Sequence, residues 1–104
     1  VRKVTSMGQL FMEASSFNQP INTWDTSNVW RMDNMFRHAT SFNQPLDKLD
    51  TSSLKSIEYM FFSATAFNQP LNDWDTTNLL YITAAFRSAN SFNQPLSNWD
   101  MSKI

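Results

Sequence analysis

The chain has 104 residues, a length typical of one domain, and its 8 Lys and Arg against 9 Asp and Glu give a formal net charge of −1. This near-neutral balance, with charged residues at only 16%, argues against the basic surface that nucleic-acid binding requires. Cysteine is absent, which excludes disulfides and thiolate sites, and no apolar run approaches the roughly 18 residues of a membrane span.

The tetrapeptide Phe-Asn-Gln-Pro recurs at a constant period of 25 residues, beginning at Phe17, Phe42, Phe67 and Phe92. The period divides the chain into full units 16–40, 41–65 and 66–90, between partial units 1–15 and 91–104. We predict one domain over residues 1–104. Because both ends fall within a unit, we expect an array cut from a larger protein.

Each unit is predicted to hold two short elements in the same order. The first half, with its proline and an apolar pair such as Ile21 and Trp24, indicates a short extended segment. The second half has apolar residues at spacings typical of a short helix, which in unit 16–40 are Val29, Met32, Met35, Phe36 and Ala39. One such unit cannot bury its apolar face alone, so the sequence predicts an α/β repeat solenoid with one short parallel strand and one short helix per unit.

Stacking would turn each constant position into a column of like residues. Asp25, Asp50, Asp75 and Asp100 form one such column. We expect each carboxylate to cap the turn that follows it, since Asp accepts hydrogen bonds from nearby backbone N–H groups. A calcium site is the weaker alternative, because such sites gather several ligands from one loop and use glycine at the sharp turn, and the only glycine is Gly8.

The tryptophan column and the amide column, which consists of Asn18, Asn43, Asn68 and Asn93, have two interpretations. Trp24, Trp74 and Trp99 share a column with Leu49, an exchange that a core position permits. The alternative is an exposed platform of Trp and Asn side chains that binds carbohydrate.

The sequence predicts no catalysis, no cofactor and no metal site. His38 is the only histidine, and the two glutamates, Glu13 and Glu58, lie in different columns. No glycine-rich phosphate loop is present.

Recognition is more plausible at positions that vary between units and face outward. The second half of the units places large apolar residues and arginines at such positions, a composition enriched in protein-binding hot spots. They could instead cover one another or contact neighbouring units. The candidate partner-binding residues are Trp30, Arg31, Arg37, Tyr59, Phe62, Leu80, Tyr81 and Arg87.

The unit at 16–40, SFNQPINTWDTSNVWRMDNMFRHAT, resembles the BspA-like leucine-rich-repeat family of bacterial surface proteins. The resemblance implies a right-handed leucine-rich-repeat-like coil, secretion or lipoprotein association, a cell-surface or extracellular location, and a role in adhesion. The chain departs from the family pattern at Leu49, at Met101 and at Ala84-Ala85.

These observations predict a non-enzymatic surface module that mediates protein–protein interaction or adhesion with a host or cell-surface protein. A carbohydrate-binding module and a passive stalk or spacer are the alternatives. Because Met7, Leu10 and Phe11 at one end and Trp99 and Ile104 at the other would present open stacking surfaces, we also expect possible end-to-end self-association.

Overall fold

The computed structural model describes residues 3–104; Val1 and Arg2, which begin the predicted partial unit 1–15, lie outside the described residues. The chain runs through turns and bends that recur in the same order every 25 residues. Residues 3–104 contain no helix and no strand of more than one residue. Within the described residues 3–104, the only strand pairing is a series of isolated parallel bridges, from Ser6 to Arg31, from Arg31 to Ser56 and from Ser56 to Tyr81. No helix able to cross a membrane occurs in this described part.

The prediction of an α/β repeat solenoid, a right-handed leucine-rich-repeat-like coil with a strand and a helix in each unit, is therefore wrong. The described chain folds into a body of 35 × 29 × 20 Å that consists mostly of coil and turns. In the segment predicted as a helix, Asn34 and His38 have φ angles of 58° and 61°. A right-handed helix contains no such left-handed residues. The equivalent residues of the other units also have positive φ: Gln9, Glu13, Tyr59, Ser63, Ala84 and Ser88.

The backbone hydrogen bonds give the physical reason for this difference. The N–H groups of Met35, Arg37 and Ala39 each donate to the carbonyl three residues earlier, at 3.0–3.3 Å. The alternate N–H groups leave the segment and donate to the next unit: Met32 to Ser56, Asn34 to Glu58, Phe36 to Met60 and His38 to Phe62, at 2.8–2.9 Å. Successive β-turns and a helix produce the same three-residue spacing of side chains, so the apolar pattern does not distinguish them.

The constant apolar columns form the core, as the sequence predicts. Phe36 and Phe42 stack with ring centroids 4.0 Å apart, and Phe61 and Phe67 repeat this pair in the next unit at 4.1 Å. All four rings are fully buried. Because the pairs also stack on each other between units, with Phe36 5.6 Å from Phe61, the core is continuous through the chain.

A column of side-chain amides joins the units on a second side. The backbone N–H of Asn43 donates to Oδ1 of Asn18 at 2.9 Å, and Gln44 donates its side-chain N–H to the same oxygen at 3.1 Å. The same bonds recur one unit later, from Asn68 and Gln69 to Asn43. Each asparagine therefore satisfies a backbone N–H of its neighbouring unit, which is why this polar column can be stacked without loss of hydrogen bonds.

We expect Ala84→Gly to raise the free energy of unfolding by about 0.5–1 kcal/mol. Ala84 has a φ of 53°, where a Cβ atom costs about 1–2 kcal/mol and glycine has no such penalty, although glycine adds some entropy to the unfolded chain. The neighbouring Ala85 is buried and outside the left-handed region, so Ala85→Gly is the matched control and should destabilise by about 1 kcal/mol or more. Urea denaturation measures both, and a loss of stability in both variants would contradict the strain at Ala84.

Candidate functional site

The eight predicted partner-binding residues all lie at least partly on the surface. Trp30 and Tyr81 are the most exposed of the large apolar side chains among them, at 43% and 53%. Arg87 is exposed as well. The partly exposed members are Arg31, Arg37, Tyr59, Phe62 and Leu80. Each of them is therefore physically available for contact, while a role in binding stays a prediction.

Backbone bonding between units places Trp30 and Tyr81 in two adjacent columns. The N–H of Lys55 donates to the carbonyl of Trp30 and the N–H of Leu80 donates to the carbonyl of Lys55, both at 2.8 Å. Trp30, Lys55 and Leu80 consequently follow one another in consecutive units. The adjacent column of bridges does the same for Arg31, Ser56 and Tyr81. We call the exposed or partly exposed side chains of Trp30, Leu80 and Tyr81 in these two columns the lateral patch.

Three further candidates, Arg37, Tyr59 and Phe62, pack together with His38 into a cation–aromatic cluster. The guanidinium carbon of Arg37 lies 5.3 Å from the ring centroid of Tyr59 and 5.0 Å from that of Phe62. The His38 ring stacks on Phe62 at 5.6 Å. The guanidinium also donates to Oδ1 of Asn34 at 3.2 Å, so the cluster presents an oriented positive charge beside apolar rings.

Arg31 differs from the other candidates because its charge is already paired. Its Nε donates to Oδ2 of Asp33 at 3.0 Å. The other oxygen of Asp33 accepts hydrogen bonds from the hydroxyl of Ser56 and from the N–H of Glu58. Sequence reasoning missed this network, since the column of Asp33 holds Gly8, Glu58 and Thr83 elsewhere and carries no constant signal. Arg31 thus pairs with a carboxylate that joins two neighbouring units.

The tryptophan column is largely buried. Trp74 and Trp99 are 4% and 8% exposed and stack with centroids 6.2 Å apart. Their indole N–H groups donate to the carbonyls of Leu46 and Leu71 at 3.0 and 2.8 Å. Only Trp24, in the first full unit, is substantially exposed, at 39%. A stacked tryptophan platform for carbohydrate is therefore not available on this surface.

The aspartate column caps turns, as predicted. Oδ1 of Asp50 accepts hydrogen bonds from the N–H and the hydroxyl of Ser52, at 3.0 and 2.6 Å. Asp25 makes the same pair of bonds with Ser27, and Asp75 makes it with Thr77. Bonds from the hydroxyl first, and from the backbone N–H second, lower the pKa of each carboxyl below its ordinary value. Residues 3–104 bring together no group of three or more His, Asp or Glu side chains that could hold a metal ion.

Comparison with known proteins identifies the family. A family model described as "Mycoplasma protein of unknown function, DUF285" matches residues 1–99. The chain therefore belongs to this family. No curated protein sequence and no solved structure matches it.

We expect Ser52→Ala to raise the pKa of Asp50 toward its ordinary value, because the variant loses the hydroxyl bond that contributes most to the lowering. Carboxyl titration by NMR measures this pKa, with Asp75 as the internal reference. Ser53→Ala is the matched control, since the Ser53 hydroxyl donates to the Ser27 carbonyl and not to Asp50.

The sign of the pH dependence follows from the same shift. Folding lowers the pKa, so the unfolded chain binds protons more readily than the folded one. The contribution of these carboxylates to stability is fully present above their ordinary pKa of about 3.9 and is lost as the pH falls through the lower folded value. Equal titration of Asp50 in wild type and Ser52→Ala would contradict the assignment.

Acrylamide quenching should separate the two kinds of tryptophan. In dilute solution, replacing both Trp24 and Trp30 with Phe should leave a blue-shifted, weakly quenched emission from Trp74 and Trp99, because the latter are buried. Trp30→Phe alone should remove only part of the quenchable emission. Strong quenching in the double variant would contradict the burial of Trp74 and Trp99.

Proposed function

We propose that this member of the DUF285 family is a non-enzymatic repeat module that binds a protein partner at the cell surface. The observation that carries the proposal is the lateral patch, where Trp30 and Tyr81 stay exposed although their positions in the repeat do not require large apolar residues. Burial of such side chains by a partner is favourable in proportion to the apolar area removed from water.

The composition of the surface favours a protein ligand. Trp, Tyr and Arg are the residues most enriched at binding hot spots. The guanidinium of Arg37 is held over the rings of Tyr59 and Phe62. A partner that contacts the cluster therefore meets a charge that is already oriented, and binding does not have to immobilise the Arg37 side chain. The backbone that carries the lateral patch is hydrogen-bonded on both sides of Lys55. Pre-ordered contact groups reduce the entropy cost of association.

The proposed location and the adhesive role rest on resemblance. The family match gives a repeat domain whose function is unknown. The finer similarity of the unit at 16–40 to BspA-like surface proteins supports export and adhesion to a host or cell-surface protein. Family resemblance supports a function less strongly than the chemistry of a site does, so the proposal is tested by replacing the candidate residues themselves.

A catalytic role has little chemical support in the described residues. His38 has its Nε2 buried and without a hydrogen-bond partner there, so its ring is not placed as a general base toward solvent. The aspartates of the repeated column each serve the turn that follows them.

Binding is tested with the double variant Trp30→Ala/Tyr81→Ala. The labelled chain is applied to purified fibronectin, laminin and collagen, to cultured epithelial cells, and to a glycan array. We expect saturable binding to at least one protein or to the cells, and at least tenfold weaker binding by the double variant, because hot-spot aromatics typically contribute that much. Thr23→Ala/Lys48→Ala, two exposed positions in the polar loops, is the matched control and should bind as wild type does.

Two results would overturn the proposal. Binding that is unchanged in Trp30→Ala/Tyr81→Ala, with urea denaturation showing both variants folded, would remove the lateral patch from recognition. Absence of wild-type binding to every protein and to cells would favour the passive stalk or spacer. Binding to glycans alone would favour the carbohydrate module.

A further inference from the structure

The cation–aromatic cluster lies inside the array, with a further unit on each side of it. From the preceding unit, the N–H of Glu13 donates to the carbonyl of Arg37 at 2.7 Å. Toward the following unit, the N–H of Tyr59 donates to the carbonyl of Thr83 at 2.9 Å. The backbone that carries the cluster is therefore paired in both directions, and the exposed edges of its side chains belong to the side of the array.

Arg37 carries a positive charge that no carboxylate of the described residues neutralises. Within residues 3–104, the only ion pair between side chains joins Arg31 to Asp33. The carboxylate of Asp50 accepts hydrogen bonds from the turn that follows it, as its counterparts in the other units do. Arg37 instead donates to the uncharged amide oxygen of Asn34. Its charge thus remains available to an anion from outside the chain.

The guanidinium also has unused donors that reach solvent. It carries N–H groups on Nε, Nη1 and Nη2. Its Nη1 bonds Asn34, whereas Nε and Nη2 have no acceptor among residues 3–104. In that part of the chain, Nε2 of His38 is the only buried side-chain nitrogen or oxygen without a hydrogen-bond partner. Nε and Nη2 of Arg37 are therefore accessible, and together they form an edge that can donate to both oxygens of one carboxylate.

Apolar surface adjoins this edge. The rings of Tyr59 and Phe62 are partly exposed and lie tilted to each other, with centroids 5.8 Å apart. Both rings are within cation–π distance of the Arg37 guanidinium. An apolar side chain placed on these rings would also exclude water from the neighbouring edge of Arg37. An ion pair gains strength where water is excluded.

We infer that the cation–aromatic cluster binds a glutamate or aspartate of a protein partner, with the apolar residue next to it packed on Tyr59 and Phe62. The carboxylate oxygens accept hydrogen bonds from Nε and Nη2 of Arg37. The inference rests on the proposed function in one respect, that the partner is a protein, and it adds the chemistry that this partner presents.

Charge complementarity favours a protein segment over a sulfated glycan. Attraction of a polyanion depends on many cations that together create a positive surface. The cluster offers one guanidinium beside two aromatic rings, and the whole chain has a formal net charge of −1. One carboxylate flanked by an apolar side chain matches one cation flanked by rings.

Titration of the isotope-labelled chain with a capped peptide, followed by NMR, tests the inference. The probe is acetyl-Gly-Leu-Glu-Leu-Gly-amide, whose only charge is the glutamate carboxylate, and the matched control peptide has Gln in place of Glu. We expect the Glu peptide to shift the Nε–H resonance of Arg37, because the carboxylate accepts this hydrogen bond. The Gln peptide should bind about tenfold more weakly, since hydrogen bonds to a charged group are the stronger ones.

Substitutions separate a formed site from general attraction between charges. Arg37→Gln removes the cation and should weaken binding of the Glu peptide about tenfold. Arg37→Lys keeps the charge but loses the planar pair of donors, so it should weaken binding about fivefold. Lys48→Gln removes a positive charge from an exposed loop position, is the matched control, and should bind as wild type does. The Arg37 resonance of the wild type reports binding even if a variant fails to fold.

Three results would overturn the inference. Equal binding of the Glu and Gln peptides would show that apolar contact alone holds the probe. Equal weakening by Arg37→Gln and Lys48→Gln would show attraction to the overall charge. An Arg37 resonance that does not move with the Glu peptide, or that moves only with a heparin fragment, would exclude a protein carboxylate. None of these decides the proposed function, which is measured separately with Trp30→Ala/Tyr81→Ala on proteins and cells.

Discussion

The structure depends on one hydrogen-bonding constraint. Wherever another unit follows, alternate backbone N–H groups in the second half of a unit donate to that next unit, and the residues between them close β-turns. Left-handed residues such as Asn34 and His38 make this alternation possible, because each turns the chain before a helix can propagate. A buried backbone group needs a partner, and here the next unit provides it. An isolated unit would leave these alternate N–H groups without the carbonyls that the next unit provides.

The same constraint separates scaffold from surface. Residues whose side chains face the stack repeat because each must fit its neighbours above and below, as Phe36 fits Phe61 and Phe42 fits Phe67. Exposed positions outside the asparagine and aspartate columns meet no such requirement and differ between units, as in the column of Trp30, Lys55 and Leu80. A constant scaffold thus carries side chains that vary from unit to unit on its outer surface.

Much of the site was predictable from the sequence, and the failures have identifiable causes. The turn-capping role of Asp50 followed from the tendency of Asp to accept hydrogen bonds from nearby backbone N–H groups. The burial of Trp74 followed from the leucine that replaces it in another unit. The predicted helix failed because the spacing of Val29, Met32 and Met35 fits both a helix and a series of turns. The pairing of Arg31 with Asp33 was missed, since it bridges columns that do not repeat.

By itself, the sequence determined the 25-residue period, the apolar columns that form the core, and the local turns at the aspartates. These features depend on side-chain character and on contacts two or three residues apart, which are visible in one unit. Only the tertiary structure decided which carbonyl each N–H group of the second half uses. A helix satisfies those groups within the segment and stacked turns satisfy them between units, and the choice rests on neighbours 25 residues away that no local pattern records.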